Sequence, residues 1–282
     1  MKIKLGNNAY GKNAINLSKI IRHNDYHEFR QISVNISLEG DFETVHTEGD
    51  NSKVLPTDTQ KNTVYALAKS KFTSSIEEFA IILADHFTLN NPQTDTCTVH
   101  ITEHLYTRLS FDGQLHPHSF ISGGNEKHTA HIRKDAGWMT VTSGIKDLLI
   151  LKTTDSAFEK YIKDPFTTLK ETSDRIMATS FEATWTYEKV PGDFTAAYDA
   201  IRNNLIRTFA FHKSLSVQHT LYAMGKNVLE ENTEVKEISL VMPNKHHILF
   251  NLEQFGIENE NEVFVATDEP FGYITGTVVR DL

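Results

Sequence analysis

The sequence is poor in the residues that cross-link or stiffen a chain. It has a single cysteine, Cys97, among 282 residues, so no disulfide can form within the chain. We therefore expect a reducing compartment. Seven prolines and fourteen glycines exclude a collagen-like or linker-dominated chain. Hydrophobic residues make up 39%, which is enough for a folded core and excludes global disorder.

Basic charge and long apolar runs are also scarce. The chain has 28 Lys and Arg against 37 Asp and Glu, for a net charge of −9. Because binding to phosphates needs a basic surface, we expect no nucleic-acid partner. The longest apolar stretches, at residues 79–83 and 148–151, are too short to cross a bilayer, so no membrane partner is expected. Without a signal peptide or a Ser-Lys-Leu ending, the sequence predicts a cytoplasmic protein.

The usual sequence motifs for phosphates and metals are missing. There is no Gly-x-Gly-x-x-Gly, no Walker loop and no Cys-x-x-Cys. Gly123-Gly124 is interpreted as a hairpin turn. His246 and His247 are neighbours, and neighbours on a strand point to opposite faces, so they are poor co-ligands. His116 and His118 could share a face, but no third ligand accompanies them, and we predict no metal site.

What the sequence does contain is one pattern repeated. In the first half, period-two strands lead to two helices and two further strands. These segments lie around residues 15–21, 32–38, 64–68, 75–87, 97–101 and 118–134. The second half follows the same order, around residues 139–151, 181–187, 194–209, 216–228, 238–242 and 274–278.

A duplicated ββααββ pattern predicts an α+β fold. We expect two tandem domains, residues 1–135 and 136–282, each an antiparallel sheet with helices on one face. Part of the open sheet face is expected to pack on another copy of the chain, because exposed open sheets are a liability.

Six short stretches point to a family. They are Tyr10-Gly11-Lys12, the Thr-Asp-Thr-Gln-Lys-Asn-Thr-Val-Tyr of residues 57–65, Ser-Ala-Phe at 156–158, Thr-Thr-Leu-Lys-Glu-Thr-Ser-Asp-Arg at 167–175, Ser-Val-Gln-His-Thr-Leu-Tyr at 216–222 and Pro-Asn-Lys-His at 243–246. Together, and in this order, they resemble the urate oxidase (uricase) family. The resemblance implies two ββααββ units of the tunnelling fold. It also implies a homotetramer around a tunnel, with active sites where two chains meet.

The resemblance implies a planar, anionic purine trione as substrate. Arg175 would present a rigid donor fork to a ring carbonyl and nitrogen. The amide of Gln218 would match a lactam edge, and the backbone N–H of Val217 would add a donor beside it. Phe158 would stack on the ring.

It also implies a catalytic group that needs neither metal nor flavin. Thr57 and Asp58 open a helix that the family contributes from the neighbouring chain, where free N–H groups favour an oxygen anion. Lys12 would act as a base through Thr57, because the pKa of a buried lysine near other cations is lowered. His246 would complete the proton relay. Asn244 would hold oxygen, or the water that follows it, above the ring.

Two other functions fit the same fold. One is a zinc-dependent, pterin-handling enzyme, and the other is a purine-binding module without turnover. Taken singly, Thr57 and Asp58 also fit an ordinary helix cap. Two flanking residues depart from the family pattern. Pro56 stands where a small residue is expected, and Met242 where leucine is usual.

Overall fold

The computed structural model describes residues 3–281, and its chain divides into two compact units. The first contains the described residues up to Gly144, together with Lys189–Ala196. The second contains Ile145–Glu188 and the residues from Ala197 onward. The domain boundary at 135/136 stays a prediction from the sequence.

The first unit follows the order strand, strand, helices, strand, strand. Its strands pair antiparallel in the order β1-β2-β3-β4. Helix α2 packs on β1, and α3 packs on β3 and β4. The elements are β1 (Tyr10–Arg22), β2 (His27–Gly40), α1 (Glu43–Thr47), α2 (Thr57–Lys71), α3 (Ile76–Leu89), β3 (Thr94–Phe111) and β4 (Gln114–Lys134).

The second unit repeats this plan. Its strand order is β5-β6-β7-β8, with β7 antiparallel to both β6 and β8, and α5 packs on β7 and β8. The elements are β5 (Met139–Lys152), which starts within the first unit, β6 (Met177–Tyr187), α4 (Phe194–Phe211), α5 (Val217–Glu231), β7 (Val235–Leu249), a 3-10 turn (Glu253–Phe255) and β8 (Phe264–Val279). The predicted α+β fold with a duplicated ββααββ order is confirmed.

The core of the first unit lies between sheet and helices, as the sequence periods require. Along β2, Ile32, Val34, Ile36 and Leu38 are at most 1% exposed, and the residues between them are half-buried. This is the alternation of a strand with one face against helices. Cys97 is buried on β3, and burial raises the pKa of its thiol to about 12, so the thiol stays protonated at neutral pH.

The predicted turn at Gly123-Gly124 is wrong. Both glycines lie inside β4, and the β3–β4 hairpin instead reverses at Asp112 and Gly113. These two residues have φ angles of 49° and 78°, the left-handed conformation that a tight reversal requires and that Asp and Gly tolerate.

Among residues 3–281, no helix is long and apolar enough to cross a membrane.

Candidate active site

Lys12 stands at an irregularity near the start of β1. The pairing of β1 with β2 shifts between Lys12 and Ile15, and the N–H of Ala14 donates to the Asn35 side chain at 2.7 Å. Just before it, a Cβ on Gly11 would lie 1.8 Å from the carbonyl oxygen of Ile36, so only glycine fits there. The close approach at Gly11 and the bulge after Lys12 fix the point at which the half-buried Lys12 side chain projects from the strand.

Thr57 and Asp58 form the first turn of α2, but neither caps it. The N-cap residue is Pro56, which has no side-chain acceptor, so the interpretation of Thr57 or Asp58 as the cap is wrong. The Asp58 carboxylate accepts from Lys61 at 2.5 Å and from Asn62 at 3.1 Å. The hydrogen bond from Lys61 is the main cause that lowers the pKa of Asp58, which keeps a carboxylate at this helix end.

Phe158 and Arg175 are brought together by a short bridge. Phe158 and Thr172 exchange backbone hydrogen bonds of 2.8 and 3.1 Å, which closes the loop between them. The Arg175 guanidinium lies 5.2 Å from the centre of the Phe158 ring. Burial lowers the pKa of Arg175, although a guanidinium stays charged in a protein. Its Nε is buried without a hydrogen-bond partner in the described chain, so a donor remains for a ligand.

Val217 and Gln218 are the first two residues of α5. The Ser216 side chain caps this helix by accepting from the N–H of His219 at 3.1 Å. A Cβ on Gly225 would lie 2.6 Å from a methyl group of Val278, so glycine lets α5 lie close to β8. The Ser216 cap and the close packing at Gly225 together fix the position of the helix end that carries the exposed Gln218.

The segment that carries Phe158 is tied to the segment that leads into α5. The N–H of Ala157 donates to the Ser214 carbonyl at 2.8 Å, and the N–H of Ser214 donates to the Asp155 carbonyl at 2.9 Å. These bonds fix the approach to Phe158 against the approach to Gln218.

Asn244 and His246 lie together on β7. The pairing of β7 with β8 shifts between them, and the Asn244 Nδ2 atom lies 3.4 Å from His246 Nδ1. Residues two apart on a strand share a face, so the Asn244 amide and the His246 imidazole face the same space. Both side chains are half-buried.

Four of the predicted residues line a single cavity of about 890 Å³ in the second unit: Phe158, Arg175, Asn244 and His246. Val217 and Gln218 are not among the described residues that line it. Lys12, Thr57 and Asp58 belong to the first unit. The size suits a small heterocycle, and the lining combines an aromatic ring, a cation, an amide and an imidazole.

The cavity also has lining residues that sequence reasoning did not single out as functional. They include Lys170, His247 and Leu249. Tyr161 was also missed; its ring stacks on Phe158 at 4.9 Å and 16°. Lys170 lies within one of the family-like stretches, but nothing in the spacing marks Tyr161 or Leu249 as neighbours of the site.

The histidine pairs do not assemble a metal site in the part of the chain that is described. His116 and His118 stack edge to face at 4.7 Å, and no group of three or more His, Cys, Asp or Glu residues within 3–281 is placed to hold a metal ion. The side chains needed for the zinc-dependent alternative are therefore not gathered among these residues.

Two successive ββααββ units, each an antiparallel sheet with helices packed on it, define an α+β protein of the tunnelling-fold class. A sequence model of the Uricase family matches residues 8–133 and 141–275. The uricase of Arthrobacter globiformis is 41% identical over 99% of this chain and 91% of its own length. That of Cyberlindnera jadinii is 37% identical over 99% and 98%. The chain belongs to the uricase family.

The structures agree with this assignment. A crystal structure of Arthrobacter globiformis uricase matches with a TM-score of 0.94 at 40% identity, covering 100% of this chain and 96% of that one. A uricase from Bacillus fastidious matches with a TM-score of 0.82 at 24% identity, covering 96% and 93%. The latter similarity concerns the fold alone.

Proposed function

We propose that this protein is a urate oxidase. It oxidises urate with O2 and water to 5-hydroxyisourate and hydrogen peroxide, without a metal or an organic cofactor. The observation that carries the proposal is the match to the Uricase family over nearly the whole chain. The cavity that joins Phe158, Arg175, Asn244 and His246 supports it.

Urate binding follows from the shape and charge of the ligand. Urate is a flat anion with N–H and C=O groups around its edge. Phe158 stacks on one face, and Arg175 donates to the anionic edge, where its unpartnered Nε is one of the available donors. Gln218 and the N–H of Val217 bind the opposite lactam edge. The backbone hydrogen bond from Ala157 to Ser214 keeps the segment that carries Phe158 aligned with the segment that leads to Gln218.

Catalysis requires that urate lose a second proton and then two electrons. Lys12 and Thr57 accept the proton, with His246 as the third member of the relay. The electron-rich ring reduces O2 beside Asn244, and two electrons and two protons leave as hydrogen peroxide. Water then adds to the oxidised ring to give 5-hydroxyisourate. Every atom of the product comes from urate and water.

The complete site takes residues from two copies of the chain. We assign Lys12 and the first turn of α2, with Thr57 and Asp58, to one protomer. Phe158, Arg175, Gln218, Asn244 and His246 belong to its neighbour. The assembly is a homotetramer. In support, the loop beside Phe158 exposes Ile162 by 95% and Phe166 by 89% in the single chain, and apolar side chains of this size are usually covered.

The test is urate consumption by the purified protein in excess EDTA, followed by absorbance together with O2 uptake and peroxide release. We expect equal amounts of urate lost, O2 consumed and peroxide formed. Lys12→Met should still bind the inhibitor 8-azaxanthine while losing most turnover, and Lys236→Met, at an exposed position of β7, should behave as the parent. Full activity of Lys12→Met would refute the role of Lys12, and inhibition by EDTA would refute a metal-free reaction.

A further inference from the structure

The two units begin their second long helix in the same way. α3 starts after Ser75 with Ile76-Glu77, and α5 starts after Ser216 with Val217-Gln218. Each serine accepts a hydrogen bond of 3.1 Å from the N–H three residues later. Glu77 in the first unit therefore holds the position of Gln218 in the second.

The strands that follow keep this correspondence. Glu103 on β3 comes 26 residues after Glu77, and Asn244 on β7 comes 26 residues after Gln218. The residue opposite Glu103 on the next strand is His128, whereas the residue opposite Asn244 is Gly272. The second unit therefore has two amides, Gln218 and Asn244, and no side chain at the third position, Gly272. At the equivalent three positions, the first unit has two carboxylates and the imidazole of His128.

The His128 ring lies between the two carboxylates. Its Nε2 is 2.8 Å from an oxygen of Glu77, and its Nδ1 is 3.7 Å from an oxygen of Glu103. Ser143 donates to the same Glu77 oxygen at 2.6 Å. Glu77, Glu103 and His128 are only 0%, 7% and 6% exposed, so the ring is enclosed as a bound heterocycle would be.

The charges of this cluster favour a cation at the position of the ring. Arg30 binds Glu103 through two hydrogen bonds of 2.7 and 2.9 Å, so Glu103 already has one positive partner. Glu77 has none besides the ring, and its second oxygen is buried without a hydrogen-bond partner in residues 3–281. Burial lowers the pKa of His128, but the hydrogen bond to Glu77 and the negative charges of both glutamates outweigh burial and raise it. The surroundings of the ring therefore favour its protonated, imidazolium form.

We propose that the first unit contains a second heterocycle pocket, equivalent in position to the Gln218–Asn244 side of the second unit, in which His128 takes the place of the ligand. The pocket has the opposite preference in charge. Two amides suit a neutral or anionic lactam, whereas two carboxylates suit a small planar cation, which the chain itself supplies. The equivalence rests on the proposed binding of urate beside Gln218 and Asn244, whereas the experiment below tests the pocket of the first unit independently of urate turnover.

The experiment opens the pocket and offers it free imidazole. In the full-length protein, His128→Ala should lower the thermal midpoint by roughly 5–10 °C, because a buried carboxylate loses its counter-ion. Imidazole at pH 6, where it is largely protonated, should restore the midpoint with saturation. The double variant His128→Ala/Glu77→Gln should bind imidazole about tenfold more weakly, since one charge-assisted hydrogen bond is lost.

The controls separate the pocket from general effects of the buffer. His118→Ala removes an exposed histidine from the same strand and should show no imidazole-dependent shift, as should the parent. An equal shift in His118→Ala and His128→Ala, or none in either, overturns the proposal. If His128→Ala does not fold alone, it is refolded with and without imidazole. A higher yield of folded protein with imidazole supports the pocket, and an equal yield overturns it.

Discussion

The contact at Gly11 offers a sharp test of how β1 presents Lys12. In Gly11→Ala, the new Cβ would lie 1.8 Å from the Ile36 carbonyl oxygen and 2.7 Å from its carbon. An ordinary contact needs about 3.5 Å, so β1 must retreat from β2 by about 1.7 Å at this point. The pairs beside it, Tyr10 with Leu38 and Lys12 with Ile36, then lose their hydrogen bonds.

The expected magnitude follows from that displacement. Losing about two backbone hydrogen bonds, at about 1 kcal/mol each, and retaining some strain gives a destabilisation of about 2–4 kcal/mol. If Lys12 is the base, its displacement by about 1 Å should also lower kcat about 100-fold. The KM should change less, because Phe158 and Arg175 lie in the other unit.

The assay is urea unfolding of Gly11→Ala beside Gly192→Ala at one protein concentration, since oligomers unfold with concentration-dependent midpoints. A Cβ on Gly192 would meet nothing within 4 Å, so that variant controls for glycine replacement itself. Urate turnover is measured on both. If Gly11→Ala matched Gly192→Ala in stability, the close approach would not be as described. If it were destabilised yet fully active, the position of Lys12 would not matter to the chemistry.

Two further predictions concern the helix caps and the buried charges. Ser216→Ala and Ser75→Ala should each destabilise by about 1 kcal/mol in urea unfolding, but only Ser216→Ala should raise the KM for urate, because its helix presents Gln218; equal KM values would contradict this. Burial opposes ionisation of Glu103, yet the nearby His128 and the hydrogen bonds and charge of Arg30 outweigh burial and bring the pKa of Glu103 to about 2. Because folding depresses this pKa below the value near 4.3 of an unfolded chain, the stabilisation is complete above about pH 5 and is lost as the pH falls toward 2. In Glu103→Gln, the thermal midpoint should depend less on pH over that range. An unchanged slope of the midpoint against pH would contradict the assignment of this pKa to Glu103.

The fold was predictable because its strands and helices have clear periods. Residues 32–38 alternate between buried and half-buried positions as their sequence indicated. The pattern failed at Gly123-Gly124, where glycines lie inside a long strand, because the reversal is set by the backbone at Asp112 and Gly113. It also gave no sign of α1 (Glu43–Thr47), which has no buried residue and so no apolar face to detect.

The candidate site was predictable only where short motifs carried it. Phe158, Arg175, Asn244 and His246 come from separate stretches, and only folding brings them around one cavity. Tyr161 was missed because its stacking on Phe158 depends on the path of an irregular loop.

The buried pair of Glu77 and His128 was out of reach for a related reason. These residues are 51 apart in sequence, and strand register decides whether they meet. Local periodicity carries no information on such a pairing.

The bridge between Phe158 and Thr172 has a consequence for how this family can vary. Because those two residues are joined by their own backbone hydrogen bonds, the chain between them is a closed loop whose ends do not depend on its length. Each doubling of such a loop adds only about 0.6 kcal/mol of closure entropy. A change in chain length between residues 159 and 166, ahead of the family-like stretch at 167–175, would therefore leave Phe158 and Arg175 in place.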